Sequence, residues 1–411
     1  MKIDLAATLS RIFAMLDNLG AANSPSDLTD SKLEQNLLLT ISRHQNAMDW
    51  LVDLHATGKV RPRTRKVLRW ALAEIVFLSG VPAPHVVDAA TSFVKRRHSP
   101  QEAGFVNACL RAICADLEKK DHFFDNAPRH IQLRLPEILW NRWKEQFGDE
   151  TSERIANALL APADTFLRLR EYPPQQPPKD IKGVISVESP EWAPNAKIYK
   201  LDRKAHVSIA DVFSSNARFY IQDPATLLAP SLLAPKPGEV VADLCAAPGG
   251  KSVLLAESLK DTGVLYAYDI AESKLARLQE NLKGFSCISV AQMDATQFQS
   301  PTPLDAVLLD VPCSNTGVLR RKPDAKWTFD LKKLSELTAI QSQILHQASL
   351  ALKPNGRLVY STCSIEQDEN DLQIKAFLQS HPNFTLVKKQ LILPDENHDG
   401  AFAALLQKTR D

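Results

Sequence analysis

A chain of 411 residues, 44% hydrophobic and 24% charged, has the composition of a globular protein and the length for about two or three domains. Its 49 Lys and Arg against 48 Asp and Glu leave a formal net charge of +1, so any surface for polyanions has to arise from local clustering. Six cysteines without a C-x-x-C pair exclude a disulfide scaffold and a cysteine zinc site, and no apolar run reaches the roughly 20 residues of a membrane span. The expectation is a cytoplasmic protein in a reducing compartment, with no metal and no membrane.

At the N-terminus, Ile3, Leu9, Ile12, Phe13 and Leu16 recur at helical spacing, but Asp4, Arg11 and Asp17 break the apolar core that a signal peptide needs. Apolar spacings of three and four predict helices over 3–18, 32–56, 63–80, 84–96 and 100–118. Gly58, Gly80-Val81-Pro82 and Ser99-Pro100 punctuate them. Residues 1–125 thus read as an all-helical domain. Two basic clusters fall in it: Arg61, Arg63, Arg65, Lys66 and Arg69, and then Lys95, Arg96 and Arg97. Each is either a solvated helix face or a set of phosphate contacts.

Residues 126–225 read as a helical linker followed by a small α/β subdomain. One or two helices carry Trp140 and Trp143, and Leu167–Arg170 is a strand. The Pro-rich stretch Pro173–Pro178 can be neither helix nor central strand. From 226 to 411 strands and helices alternate. Strands are predicted at Val240–Leu244, Val264–Tyr268, Ile288–Met293, Ala306–Leu309 and Arg357–Ser361. Helices are predicted from Lys251, over 272–282 and over 332–352, the last stopped by Pro354-Asn355-Gly356. This is the grammar of a doubly wound, mainly parallel sheet, whose ligands bind beyond the carboxyl ends of its strands.

Cys245, Ala246, Ala247, Pro248, Gly249, Gly250 and Lys251 join the first of these strands to its helix. Small residues let a backbone approach a ligand, and a helix start offers free N–H groups. One reading is a phosphate-binding P-loop of a nucleotide hydrolase, supported by Gly250-Lys251-Ser252 but opposed by Cys245 where a Gly belongs. The other is an adenosine cofactor loop. It predicts an acidic residue after the second strand to hold ribose hydroxyls, where Asp269 stands, and it gives Asp294 a place near the adenine.

Asp310-Val311-Pro312-Cys313 follows the fourth strand and Thr362-Cys363 the fifth. Cysteines at two equivalent loop positions suit a methyl transfer to carbon 5 of cytosine. That carbon is a poor nucleophile until a thiolate adds to carbon 6. One cysteine would attack and the other would assist release, while Asp310 would meet the N3–N4 edge of the ring. The sequence pattern by itself leaves open which cysteine does which. Cys109, Cys114 and Cys287 read as small buried hydrophobes.

These stretches carry a resemblance. Asp243–Ser252, Asp310–Gly317 with Arg320–Trp327, and Tyr360–Ser364 with Glu369-Asn370 resemble the RNA cytosine-5 methyltransferase family, in its bacterial 16S ribosomal RNA branch. Gln222–Ala225 looks like that family's entry into the cofactor domain, and Asp399–Phe402 like its closing hairpin. Gly104–Arg111 resembles part of a NusB-type RNA-binding module. The resemblance implies a Rossmann-like methyltransferase domain that uses S-adenosyl-L-methionine. It implies Cys363 as nucleophile, Cys313 as the aid to product release, and cofactor contacts from Cys245 through Lys251 with Asp269, Asp294 and Asp310. It also implies 16S ribosomal RNA as partner. A monomer is expected. Arg320, Arg321, Lys322 and Lys326, just past the Cys313 loop, are expected to clamp phosphates beside Arg61, Arg63, Arg65, Lys66 and Arg69. A non-catalytic RNA-binding factor with a relic site is the remaining alternative, opposed by the intact cysteines.

Overall fold

The computed structural model describes residues 4–18, 25–78, 80–119, 123–171, 181–205, 207–213 and 219–409. Pro173–Pro178 and Met1–Ile3 lie outside these residues. The chain forms two compact units, Met1–Ala161 with Leu319–Phe329, and Pro162–Val318 with Asp330–Asp411. No described helix is long and apolar enough to cross a membrane.

The first unit is helical: α1 (Leu5–Met15), α2 (Pro25–Leu28), α3 (Lys32–His55), α4 (Pro62–Leu72), α5 (Ala83–Arg97), α6 (Pro100–Leu117), α7 (Arg129–Gln132), α8 (Glu137–Phe147) and α9 (Asp149–Leu160). The helix expected over 63–80 leaves α-geometry at Ala73 and continues as a π-helical stretch to Leu78. Side chains of Asp4, Ser31 and Ser99 cap α1, α3 and α6 by accepting N–H bonds from Ala7, Glu34 and Glu102. Each such cap contributes about 0.5–2 kcal/mol. Leu37, Ile41, Leu51, Val67, Trp70, Phe93, Val106 and Leu110 meet in one core. Trp70 is fully buried there, and Trp70→Ala would cost about 3–5 kcal/mol.

Leu319–Phe329 is part of this unit although its neighbours in sequence are not. It is seated on α3 beside His44, whose φ of −114° and ψ of 15° kink the helix. Arg43 Nη2 donates to the Arg320 carbonyl at 3.0 Å, Lys326 Nζ to the Arg43 carbonyl at 2.9 Å, and Trp327 Nε1 to the Ser42 carbonyl at 2.6 Å. Arg320 and Lys326 are consequently buried. Burial, reinforced by Arg43 and Arg134, pushes the Lys326 ammonium well below its ordinary pKa. The same surroundings, burial first, hold His44 at about 3, and its ring stacks on Phe77 at 3.9 Å.

The second unit begins with four short antiparallel strands, β1 (Phe166–Leu169), β2 (Val184–Val187), β3 (Ile198–Leu201) and β4 (Phe219–Ile221), in the order β2-β3-β1-β4. Helices α10 (Ile209–Phe213) and α11 (Leu228–Leu233) flank the passage into the main sheet. That sheet contains β5 (Val240–Asp243), β6 (Val264–Asp269), β7 (Ile288–Gln292), β8 (Leu304–Asp310), β9 (Leu352–Thr362), β10 (Phe384–Ile392) and β11 (Ala401–Lys408). Its helices are α12 (Gly250–Leu259), α13 (Glu272–Leu282), α14 (Leu331–Leu350) and α15 (Asp371–Ser380). The strand order is β10-β11-β9-β8-β5-β6-β7, parallel from β9 to β7, with β11 antiparallel to both β9 and β10. This is the expected Rossmann-like sheet. Alternating residues of β5, β8 and β9 feed two cores. Ala242, Val307, Leu309 and Leu358 face Ile344 and Phe377, whereas Val241, Ala306, Leu308 and Val359 face Leu233, Leu255 and Leu259. Burial on both faces is why these strands read as unbroken apolar runs. Because β5 has β6 on one side and β8 on the other, the order reverses there, and a crevice opens at its carboxyl end.

Candidate active site

The loop after β5 is held by its own residues and by its neighbours. Ser252 Oγ donates to Asp243 Oδ2 at 2.7 Å, and burial pushes the Asp243 carboxyl up to about 7. Ala246 N donates to the Tyr268 carbonyl and Ala247 N to Asp269 Oδ2, at 2.9 and 3.0 Å. Gly249 has φ of 111°, a left-handed backbone that other residues rarely adopt. A Cβ at Gly250 would sit 3.3 Å from the Tyr220 ring, so the loop passes tightly against β4. Gln222, next to β4, donates to the Gly250 carbonyl at 3.2 Å and accepts from buried Arg168 at 2.8 Å.

Four carboxylates converge on this loop. Burial, followed by Asp243, Asp310, Asp269 and Asp294 in turn, pushes the Cys245 thiol well above its ordinary pKa. Asp269 accepts the Ala247 and Ala271 N–H groups, one on each oxygen, which leaves further lone pairs for hydroxyl donors. Asp294 caps the turn after β7 by accepting from Thr296. A cofactor with ribose hydroxyls, an ammonium and a sulfonium centre fits this acidic crevice, and these residues could hold it.

At the ends of β8 and β9 the predicted reactive groups come together. Lys251 Nζ lies 2.5 Å from Asp310 Oδ2, and Ser361 Oγ donates to Asp310 Oδ1 at 3.2 Å. Burial alone would lower the Lys251 pKa, but Asp310 outweighs it and holds the ammonium above its ordinary value. Cys313 Sγ and Cys363 Sγ are 3.3 Å apart, both as free thiols. Hydrogen bonding to Cys363, then burial, keeps the Cys313 proton on well above the usual thiol range. Cys363, Asp310, Lys251, Thr226, Asp399 and Phe402 line one cleft.

The residues that hold the two cysteine loops together are ones the motif reading quoted without a role or passed over. Buried Glu369 accepts from Ser314 N at 2.9 Å, Ser314 Oγ at 2.5 Å and Gln341 Nε2 at 2.9 Å. Asn370 Oδ1 accepts from Thr362 Oγ1 at 2.7 Å. Gly317 N donates to the Cys363 carbonyl at 3.0 Å, and a Cβ on Gly317 would come within 2.8 Å of that oxygen. Asp223 accepts from Asp399 N at 3.0 Å and so joins the entry segment to the closing hairpin. The signal for Glu369 and Asn370 was their place in the motif. Asp223 likewise stood in the quoted entry segment, whereas Gln341 carried no signal.

The sequence profile described as 16S rRNA methyltransferase RsmB/F matches residues 230–407, and that of the NusB family matches residues 4–115. The ribosomal RNA small subunit methyltransferase B of Erwinia tasmaniensis is 42% identical over 384 residues, 90% of this chain and 87% of its own length. That of Vibrio cholerae is 41% identical over 344 residues, 80% of this chain and 77% of its own. The chain belongs to the ribosomal RNA small subunit methyltransferase B family. It is therefore an S-adenosylmethionine-dependent methyltransferase of ribosomal RNA, which removes the nucleotide-hydrolase alternative. A methyltransferase homolog protein from Pyrococcus horikoshii, 25% identical, superimposes with a TM-score of 0.57 over 68% of this chain and 97% of its own.

Two of the cations expected to clamp phosphates are placed differently by the structure. Arg320 and Lys326 are buried in the helical unit and are not available as a phosphate clamp, while Lys322 is exposed and Arg321 half-buried. The basic stretch opening α4 is matched by carboxylates. Arg61 and Arg63 pair with Glu102, Arg65 with Asp53 and Asp49, Lys66 with Asp17, and Arg69 with Asp49 through two bonds of 2.9 and 2.6 Å. Five cations thus face four carboxylates, which offset much of their charge.

Proposed function

We propose that this enzyme methylates carbon 5 of a cytosine in 16S ribosomal RNA through a transient bond between Cys363 and carbon 6. The observation that carries the reading is the pair of thiols 3.3 Å apart, at the ends of β8 and β9, beside the Lys251–Asp310 pair. A flipped cytosine entering the cleft would place its amino edge against Asp310, which Lys251 and Ser361 hold in one orientation. The Cys363 thiolate adds to carbon 6, and the ring electrons move toward carbon 5. S-adenosylmethionine, when bound, supplies the electrophilic methyl group. Solvent water in the cleft then takes the carbon 5 proton, the C5–H electrons re-form the C5–C6 double bond, and the C6–S bond breaks with its electron pair returning to Cys363 as thiolate. Cys313, held as a thiol, can then donate a hydrogen bond to the departing Cys363 thiolate. Of the cations after the Cys313 loop, Arg321 and Lys322 retain the proposed phosphate contact.

An RNA carrying 5-fluorocytosine at the target tests this, because fluorine cannot leave as the proton does. In the presence of S-adenosylmethionine the protein should form a covalent RNA adduct that maps to the peptide of Cys363. Mapping to Cys313 reverses the two roles. The lack of a crosslink at either cysteine overturns the covalent mechanism.

A further inference from the structure

Between the two cysteine loops stands a third group that the reaction above does not use. Asn315 has a left-handed backbone with φ of 60°, a conformation that Asn tolerates better than most residues. Its amide is folded back onto the cysteines. Nδ2 donates to the Cys313 carbonyl at 2.9 Å, and Oδ1 accepts from Cys363 Sγ at 3.3 Å. The orientation of this amide is fixed by chemistry. A carbonyl only accepts, so the nitrogen must face Cys313, and the oxygen is left facing the Cys363 thiol. A rotation that brought the amide N–H to the sulfur would place two oxygens against each other at Cys313.

From this geometry we infer that Asn315 is a positioning residue that holds Cys363 in its protonated, resting form until RNA enters the cleft. An acceptor stabilises S–H and offers nothing to S⁻, so it favours the thiol over the thiolate. The other groups facing Cys363 act differently. Cys313 can donate to the thiolate from 3.3 Å, and Lys251 on α12 attracts it, whereas Asp310 at the end of β8 and Asp399 before β11 bring negative charge to the same cleft. Asn315 is a neutral group that acts only as an acceptor toward this sulfur, bonded directly to it on one side and to the Cys313 main chain on the other. Release of the Cys363 proton therefore requires this bond to be given up, and a base seated over Cys363 is the event that would displace it. The inference rests on Cys363 as the attacking thiol.

The test needs neither RNA nor cofactor. Iodoacetamide alkylates a thiolate, forming an S–C bond and releasing iodide, so the pH dependence of its rate reports the thiol's ionisation. The full-length protein, Asn315→Gly and Asn315→Asp are alkylated between pH 5 and 10, and the peptide carrying Cys363 is quantified by mass spectrometry. Glycine keeps the left-handed backbone and removes the acceptor. Its midpoint should fall by about half to one pH unit, with alkylation roughly three- to tenfold faster below the midpoint. Aspartate puts a charge at the same place and should move the midpoint upward. If the glycine variant fails to fold, the upward shift in the aspartate variant still decides. Unmoved midpoints overturn the inference, as does an acceleration in the glycine variant that is equal at every pH, since that reports access alone. An RNA crosslink at Cys313 would instead overturn the nucleophile assignment without moving these midpoints.

Discussion

The loop after β5 and the basic stretch at the start of α4 were both picked out by local composition, and they came to different ends. In the loop, the features that matter are backbone features: small residues, a left-handed Gly249, and a Gly250 that lies against Tyr220. Those depend on the residues of the loop itself, so composition is a good guide. In the basic stretch the feature that matters is net potential, which depends on what lies opposite. There Glu102 comes from α6 and Asp49 and Asp53 from α3, and together with Asp17 they offset much of the charge. A cluster of like charges in sequence is not a charged surface until its spatial neighbours are known.

The largest effect is expected from removing the thiols proposed to react in the crevice. Cys363→Ala should bring methylation to background and abolish the covalent adduct. Cys313→Ala should let the adduct accumulate, as a slowly migrating protein–RNA band on a denaturing gel. An active Cys363→Ala enzyme would mean that the crevice serves another nucleophile.

Next comes the cofactor loop itself. Asp269→Ala removes the acceptor for the Ala247 and Ala271 N–H groups and the proposed partner of the ribose hydroxyls. A charge-assisted hydrogen bond contributes about 1.5–3 kcal/mol, so calorimetry should show S-adenosylmethionine binding weakened by roughly 10- to 150-fold. A change under threefold would place the ribose elsewhere.

On the helical side, Lys326 offers a test of burial against charge. Its folded-state pKa is pushed well down by burial, below an unfolded value of about 10.4. Between the two values the unfolded chain binds the proton more tightly, so stability rises with pH through that window and is lower at neutral pH. Lys326→Met should therefore raise stability to urea by about 1 kcal/mol at pH 7, and the gain should shrink toward pH 10. A destabilised variant would show that the bond from Lys326 to the Arg43 carbonyl outweighs desolvation.

The smallest effect is expected where the sequence looked most basic. Arg61→Gln combined with Arg63→Gln should leave the salt dependence of RNA binding nearly unchanged. A slope reduced by about one to two would restore this stretch as a phosphate-docking surface. The same pair bears on acid stability. Hydrogen bonding to Arg63 first, and then to Thr64, holds the Glu102 carboxyl down at about 2. Its contribution is therefore present above the unfolded value of about 4.3 and is lost as pH falls from there toward 2. Melting curves of Glu102→Gln and the natural protein should accordingly converge at the acid end.

Much of the architecture could be read from the chain alone. The helical period of the first 118 residues and the alternation of apolar runs with helices after residue 240 reflect local rules of side-chain burial, and the structure follows both. The acidic residues and cysteines at strand ends were legible because a parallel sheet presents the same end of every strand to its crevice. The Cys313 and Cys363 motifs are local too, being short loops whose residues bond across to one another once β8 and β9 are paired.

Other features were decided by the fold. Residues 319–329 look in sequence like an extension of the Cys313 loop, yet they are seated on the kinked α3 through bonds to Ser42 and Arg43, some 280 residues away in the chain. Gln341 lies mid-helix with nothing to mark it, and it meets Glu369 only because α14 packs beside the β9 loop. Element types, the turn geometry of the loop after β5 and the placing of acidic residues and cysteines at strand ends were legible in the chain, because those depend on period, backbone freedom and side-chain chemistry within a few positions. Which cations stay exposed, which carboxylates pair with them and which amide faces the thiol were settled by packing, because burial and electrostatics are properties of neighbours in space.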